Sequence, residues 1–276
     1  AKGYANDQGP GKGGMGTYCG SGGHGGKGGE GAYGASLGGT AGGTYGSLTN
    51  PITAGSGGGS YQLPYYRGGL GGGVVRIVTP GAITLEGSLT ANGGISSHAS
   101  GGGAGGSVFV TCATLGGPTN GAIQAKGGDC YNLVYPGGGG GGGGRIALFY
   151  GALAPEHSLR ISALQGRSAA YSTPGDWRAE FPGTVYMPNT NMLSTNLMGF
   201  AGYVNIPEFN AWSPASLILN NALLAFPAGF AFNVSGNMLI SGSNACLLVN
   251  PDAAFTCGGH LTLTNAGQLR IYGAPN

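Results

Sequence analysis

MLISGSNACLLVNPDAAFTCGGHLTLTNAGQLRI, residues 238–271, holds a little more than one turn of a repeat. Met238/Ile240 return as Leu261/Leu263 after 23 residues, and Leu217/Leu219 precede them by 21. Cys246/Leu248 return as Leu269/Ile271, again at 23, and Phe230/Phe232 return as Ala253/Phe255. Each pair is an apolar i, i+2 doublet, the period of a strand with one buried face. Gly, Asn and Pro punctuate the doublets as turn residues do. Three ladders at one period predict three short strands per coil. Coils stacked strand on strand would be about 4.8 Å apart, and none could bury its inward face alone.

The same reading extends toward the N-terminus with a longer step. Gly71-Gly72-Gly73-Val74-Val75-Arg76-Ile77-Val78 aligns with Gly105-Gly106-Ser107-Val108-Phe109-Val110 and with Gly143-Gly144-Arg145-Ile146-Ala147-Leu148. The second strands run Leu89–Gly94, Ile123–Gly128 and Ile161–Gly166. Val75, Val108 and Ile146 are 33 and 38 residues apart. Helical periodicity is absent, and Gly costs a helix about 1 kcal/mol relative to Ala. The expected fold is therefore all-β: a parallel β-helix or solenoid with a glycine-rich N-terminal half. The expected organisation is a Gly-triplet segment at 1–70, glycine-rich coils at 71–190 and regular coils of 21–23 residues at 191–276.

Composition bounds the function. Of 276 residues 64 are Gly, and only 20 are charged, at a net charge of +2. Residues 1–150 carry 51 of those Gly. Eleven cations cannot form the dense basic face of a nucleic-acid binder. No apolar run approaches the ~18–20 residues of a membrane span. Collagen is excluded because no sustained Gly-X-Y phase exists. Two readings of the Gly runs remain, a flexible loop or extended segments packed side by side. Gly22-Gly23-His24 through Gly34-Ala35-Ser36 are five triplets with Gly leading each, and Gly137–Gly144 is unbroken. A three-residue period is that of a polyproline-II-type helix. The strict phase favours packed, polyglycine-II-like segments.

Five Cys without paired motif spacing, in so uncharged a chain, point to a secreted protein. Cys112 with Cys130 and Cys246 with Cys257 are the candidate disulfides. Cys19 is left unpaired or cross-linked to another subunit. Asn233-Val234-Ser235 is an N-glycosylation sequon. Ala1 reads as a processed N-terminus or the edge of a fragment.

His24, His98, His157 and His260 are scattered in turn-like contexts and are expected at the surface. Asp7, Asp129, Asp176 and Asp252 are dispersed, so no carboxylate pair for glycoside hydrolysis is expected. Arg76 and Arg145 occupy related repeat positions and could stack as a column. Walker, Rossmann and Gly-Gly-x-Gly-x-Asp calcium patterns are missing, so no catalytic residue, metal or cofactor is expected. Tyr61, Tyr65, Tyr66, Tyr131, Tyr135 and Tyr150 flank the Gly runs, where they would cover backbone or stack on sugars. Thr262 and Thr264 make too small an array for an ice-binding face.

The order of these motifs resembles a known group. Gly-Gly-His-Gly-Gly-Lys-Gly-Gly at 22–29 precedes Tyr45-Gly46-Ser47-Leu48, Pro51 and Gly55-Ser56-Gly57-Gly58-Gly59. Then come Ala91-Asn92-Gly93-Gly94, the poly-Gly run into Arg145-Ile146-Ala147-Leu148, and Pro182-Gly183-Thr184-Val185-Tyr186. Over roughly residues 10–190 this is similar to glycine-rich extracellular proteins of plants, algae and other protists, including flagellar-hair (mastigoneme) proteins. The resemblance implies a secreted, surface-attached structural role and transfers no catalytic residue. The expected function is a self-assembling subunit of an extracellular filament, with copies of itself as main partner and glycans or other surface proteins as further ones. The alternative is a secreted carbohydrate-binding or carbohydrate-active β-helix.

Overall fold

The computed structural model describes residues 2–33, 36–131, 137–168 and 181–271. Gly34-Ala35, Tyr135 and Asp176 lie outside the described residues. The chain divides into two compact units, 1–185 and 186–276. Residues 1–70 thus share a unit with 71–185 rather than standing apart. The reason is backbone pairing: Gly3 N donates to Gly71 O, Gly55 N to Gly72 O and Gly22 N to Gly102 O. The expected all-β character holds. Among the described residues the helical content is one 3-10 turn, Thr190–Met192. No helix among them is long and apolar enough to cross a membrane.

The first unit opens with a short antiparallel hairpin, β1 (Ala32–Tyr33) with β2 (Ser36–Leu37). Parallel strands follow: β3 (Val74–Val78), β4 (Ala82–Thr84), β5 (Ser88–Thr90), β6 (Ser107–Gly117), β7 (Ala122–Gln124), β8 (Arg145–His157) and β9 (Arg160–Ser162), and β10 (Thr184–Tyr186) lies next to β8. Val75 pairs with Val108 and Val108 with Ile146, the register that the repeat predicts. Leu89, Ile123 and Ile161 form the second row. Val108, Ile123 and Ile146 are fully buried. Each such aliphatic contributes about 1.5–3 kcal/mol through removal from water. β6 and β8 run on to 11 and 13 residues and also pair with β4 or with each other beyond the predicted doublets.

The glycine segments pack side by side with a three-residue phase. In the run 137–144, Gly139 and Gly142 donate to Cys19 O and Gly22 O, and accept from Gly102 N and Gly105 N. Gly140 and Gly143 accept from Gly29 N and Gly26 N. Gly141 and Gly144 donate to Gly128 O and Ala125 O. Residues three apart therefore meet the same neighbour, and one segment bonds to several others. A side chain has no room there. A Cβ on Gly143 would lie 1.9 Å from Ala163 O, and one on Gly71 1.7 Å from Gly55 O.

The second unit contains β11 (Asn196–Met198), β12 (Ala201–Asn205), β13 (Ala211–Trp212), β14 (Leu217–Asn220), β15 (Leu223–Ala225), β16 (Ala231–Val234), β17 (Met238–Ser241), β18 (Cys246–Val249), β19 (Ala254–Cys257), β20 (Leu261–Thr264) and β21 (Gln268–Ile271). They form three parallel ladders. Leu197, Leu219, Ile240 and Leu263 stack through β11, β14, β17 and β20. Phe232 stacks on Phe255, as the 23-residue step predicts, with ring centroids 5.8 Å apart.

One register differs from the expectation. Leu248 lies opposite Arg270, and Ile271 opposite Val249. The step there is one residue short of 23 because the turn before β21 is Asn265-Ala266-Gly267, whereas four residues, Gly242–Ala245, precede β18. Asn265 and Ala266 both take left-handed φ, 50° and 66°, which closes the tighter turn. A one-residue slip exchanges the two faces of a strand.

Candidate functional site

The structure places the sequence-predicted residues as follows. Asn233 lies outward on β16, and Ser235 beside it is exposed. The Asn233 Oδ1 accepts a hydrogen bond from Thr256 Oγ1 on the next coil. Cys112, Cys246 and Cys257 carry thiols, so neither expected disulfide is present in this structure. Cys112 sits on β6 opposite Tyr150, while Cys130 lies beyond β7 and its N–H donates to Arg167 O. Cys246 and Cys257 belong to different ladders, opposite Leu223 and Val234. Neither Cys246 nor Cys257 has the other as its register partner. Cys19 is buried, its Sγ–H donating to Gly16 O at 3.2 Å, so it offers no surface thiol to another subunit. Burial pushes the Cys19 and Cys246 thiols up to about 11, away from the reactive thiolate.

His24 corrects the expectation most sharply: it is fully buried, not at the surface. The triplet carrying it enters the glycine bundle, where its side chain finds specific partners. Nδ1–H donates to Gly105 O at 2.9 Å, and Nε2 accepts from Thr53 Oγ1 at 3.0 Å. The Tyr45 ring lies 4.7 Å away. Arg145, also buried, donates from Nε to Tyr45 O at 2.8 Å, from Nη1 to Thr184 Oγ1 at 3.2 Å and from Nη2 to His24 O at 3.5 Å. Tyr45 Oη–H donates to Ala54 O and meets Ser56 Oγ at 2.8 Å. One Arg thus joins three segments distant in sequence through oxygen acceptors.

Burial, with the Arg145 charge nearby, lowers the His24 pKa from 6.5 to about 4. The imidazole is neutral in the fold and takes up a proton on unfolding at mildly acid pH. Stability is therefore full above pH 6.5 and declines as pH falls toward 4. Between pH 7 and 4.5 urea denaturation should show a loss on the order of 2 kcal/mol from this group. His24→Gln should flatten that dependence; an unchanged pH slope in the variant would refute the assignment.

The other polar candidates separate. Arg76 pairs in register with Phe109 and Ala147, not with Arg145, so no arginine column forms. Its guanidinium instead lies 4.1 Å from the Phe109 ring centroid and donates to Asn50 Oδ1. Asp129 accepts from Nε and Nη2 of Arg167, one coil on, at 3.0 and 2.7 Å. Thr262 and Thr264 stack on Leu239 and Ser241, not on further threonines. His157 and His260 are exposed. Among the described residues no group of three His, Cys, Asp or Glu side chains converges as a metal site.

Two surfaces are less ordinary. β19, β20 and β21 each end a ladder. On them Leu263 is 45% and Ile271 69% exposed, while Phe255, Leu261 and Leu269 are half-buried. Elsewhere Tyr61, Tyr66 and His98 stack at centroid separations of 4.5–5.9 Å. Tyr150, by contrast, is buried on β8, and its hydroxyl is pushed up to about 12 by that burial. Sequence reasoning missed the His24–Arg145 cluster, because the contacts span up to 121 residues and no local spacing announces them. Comparison with family models, with curated proteins and with solved structures finds no match for this chain.

Proposed function

We propose that this chain is a structural subunit of an extracellular filament or cell-surface appendage and acts by self-assembly. In this reading the ladders are coils of a parallel β-solenoid, and the glycine segments are polyglycine-II-like strands that stiffen it. The observation that carries it is the parallel stacking of coils in three ladders, a pairing that a second copy can continue. Edge strands with unpaired backbone groups and exposed apolar side chains are templates for another chain. A head-to-tail contact of that kind propagates rather than closes, which builds a filament. The near absence of charge supports the reading, since little long-range repulsion keeps copies apart. Asn233, outward on β16, is the proposed glycan anchor, and no residue has a catalytic role.

Contacts made by backbone pairing and apolar burial depend little on ionic strength, because few charges are there to be screened. Sedimentation of the native protein should therefore show large assemblies at low salt and at about 1 M salt alike, the higher value reducing the screening length to roughly 3 Å. A monomer at every concentration would refute the proposal, and so would assemblies that dissolve on adding salt.

A further inference from the structure

Three separate stretches of the first unit, 61–67, 95–98 and Tyr131, converge on one aromatic surface. Serine side chains hold them together. Tyr61 N donates to Ser100 Oγ at 3.0 Å, Arg67 N to Ser97 Oγ at 2.6 Å, and Tyr131 N to Ser96 Oγ at 3.1 Å. Ser97 Oγ donates in turn to Arg67 O at 3.0 Å. The planes of Tyr61, Tyr66 and His98 lie within 12–28° of one another. On the same stretches Tyr65 and Tyr131 are 80% and 70% exposed, and Leu63 and Ile95 51% and 66%. Two non-glycine residues here, Gln62 and His98, hold left-handed backbone at φ 46°. Such conformations cost of order 1 kcal/mol each and persist where the surroundings enforce them.

We propose that this surface binds an extended neutral polysaccharide. The C–H face of a pyranose is apolar and weakly positive, and it complements the negative face of an aromatic ring. The exposed Tyr65 and Tyr131 rings offer faces for that contact, with the Tyr61–Tyr66–His98 stack, whose rings cover one another, as their support. The rim supplies what sugar hydroxyls require: tyrosine hydroxyls, the exposed Gln62 amide and the Arg67 guanidinium. Arg67 is the single Lys, Arg, Asp or Glu in these stretches, which selects an uncharged glycan over a polyanion. The serine ties pre-organise the rings, so little ordering entropy is lost on binding. The proposal is independent of the filament reading, because a single copy carries the whole surface.

Affinity electrophoresis tests it, with native gels containing hydroxyethylcellulose, xyloglucan, laminarin or galactomannan as probes. The wild-type protein should be retarded by at least one of the four, and the Tyr65→Ala/Tyr131→Ala double variant should bind that polysaccharide about tenfold more weakly. Both side chains are exposed, so the melting temperature should stay unchanged. Tyr65→Phe keeps the ring and should keep most of the retardation. Absence of retardation in all four gels overturns the proposal. Equal retardation of wild type and double variant overturns it as well. A double variant altered only in sedimentation would assign the surface to contact between copies instead, leaving the filament reading intact and this one refuted.

Discussion

Gly143→Ala should unfold the unit formed by residues 1–185. The added Cβ would lie 1.9 Å from Ala163 O and 2.2 Å from Gly183 N. Those two atoms are themselves joined, since Gly183 N donates to Ala163 O at 2.7 Å. The methyl group would therefore be driven into an existing hydrogen bond. Making room means moving a segment that also holds Gly143 N to Phe181 O and Gly26 N to Gly143 O. Each buried backbone group left without a partner costs about 1–3 kcal/mol, so the expected loss exceeds roughly 4 kcal/mol. Gly43 supplies the contrast. A Cβ there meets nothing within 4 Å. Gly43→Ala should be neutral or stabilise by about 0.4–1 kcal/mol, because it restricts the unfolded chain. Thermal and urea denaturation of the two variants separate a packed glycine bundle from a glycine loop, in which both substitutions would be harmless.

Leu248→Asp should unfold the coils of the second unit, and Ile271→Asp should leave them nearly unchanged. Leu248 is 3% exposed on β18, between Ala225 and Arg270 in the ladder. Taking a carboxylate out of water at that buried position costs several kcal/mol, of which the neighbouring Arg270 returns only part. Ile271 is largely solvent-exposed, and surface substitutions of that kind usually stay within about 0.5 kcal/mol. A register with a 23-residue step would instead place both residues in one buried stack and make both substitutions severe. Denaturation of the pair therefore reads the register directly.

The strands were legible in the sequence where an apolar doublet recurs and itself anchors the alignment, whatever the length between. Leu217, Met238 and Leu261 form such a series, as do Val75, Val108 and Ile146. Legibility failed at β21, because a shortened turn moves the register without altering the apolar character of Leu269 or Ile271. It failed again for His24, whose neighbours in sequence are glycines. A residue flanked by Gly reads as a turn residue until the partners that bury it, Gly105, Thr53 and Arg145, are known. Arg76 and Arg145 misled through a two-residue offset, which keeps both on one face but places them on different rungs. The triplet phase of the glycine segments was legible, because a period of three survives in the bonds of 139–144. Which segment meets which was not, since glycine carries no side chain to specify a neighbour.

Imaging of the native material by electron cryomicroscopy tests the central claim most directly, that the chain works as a polymer. The account predicts filaments in which copies follow one another along the coil axis, with strands about 4.8 Å apart across the junction as within a copy. Discrete monomers at all concentrations would contradict it, as would filaments joined through surfaces that leave β19, β20 and β21 uncovered.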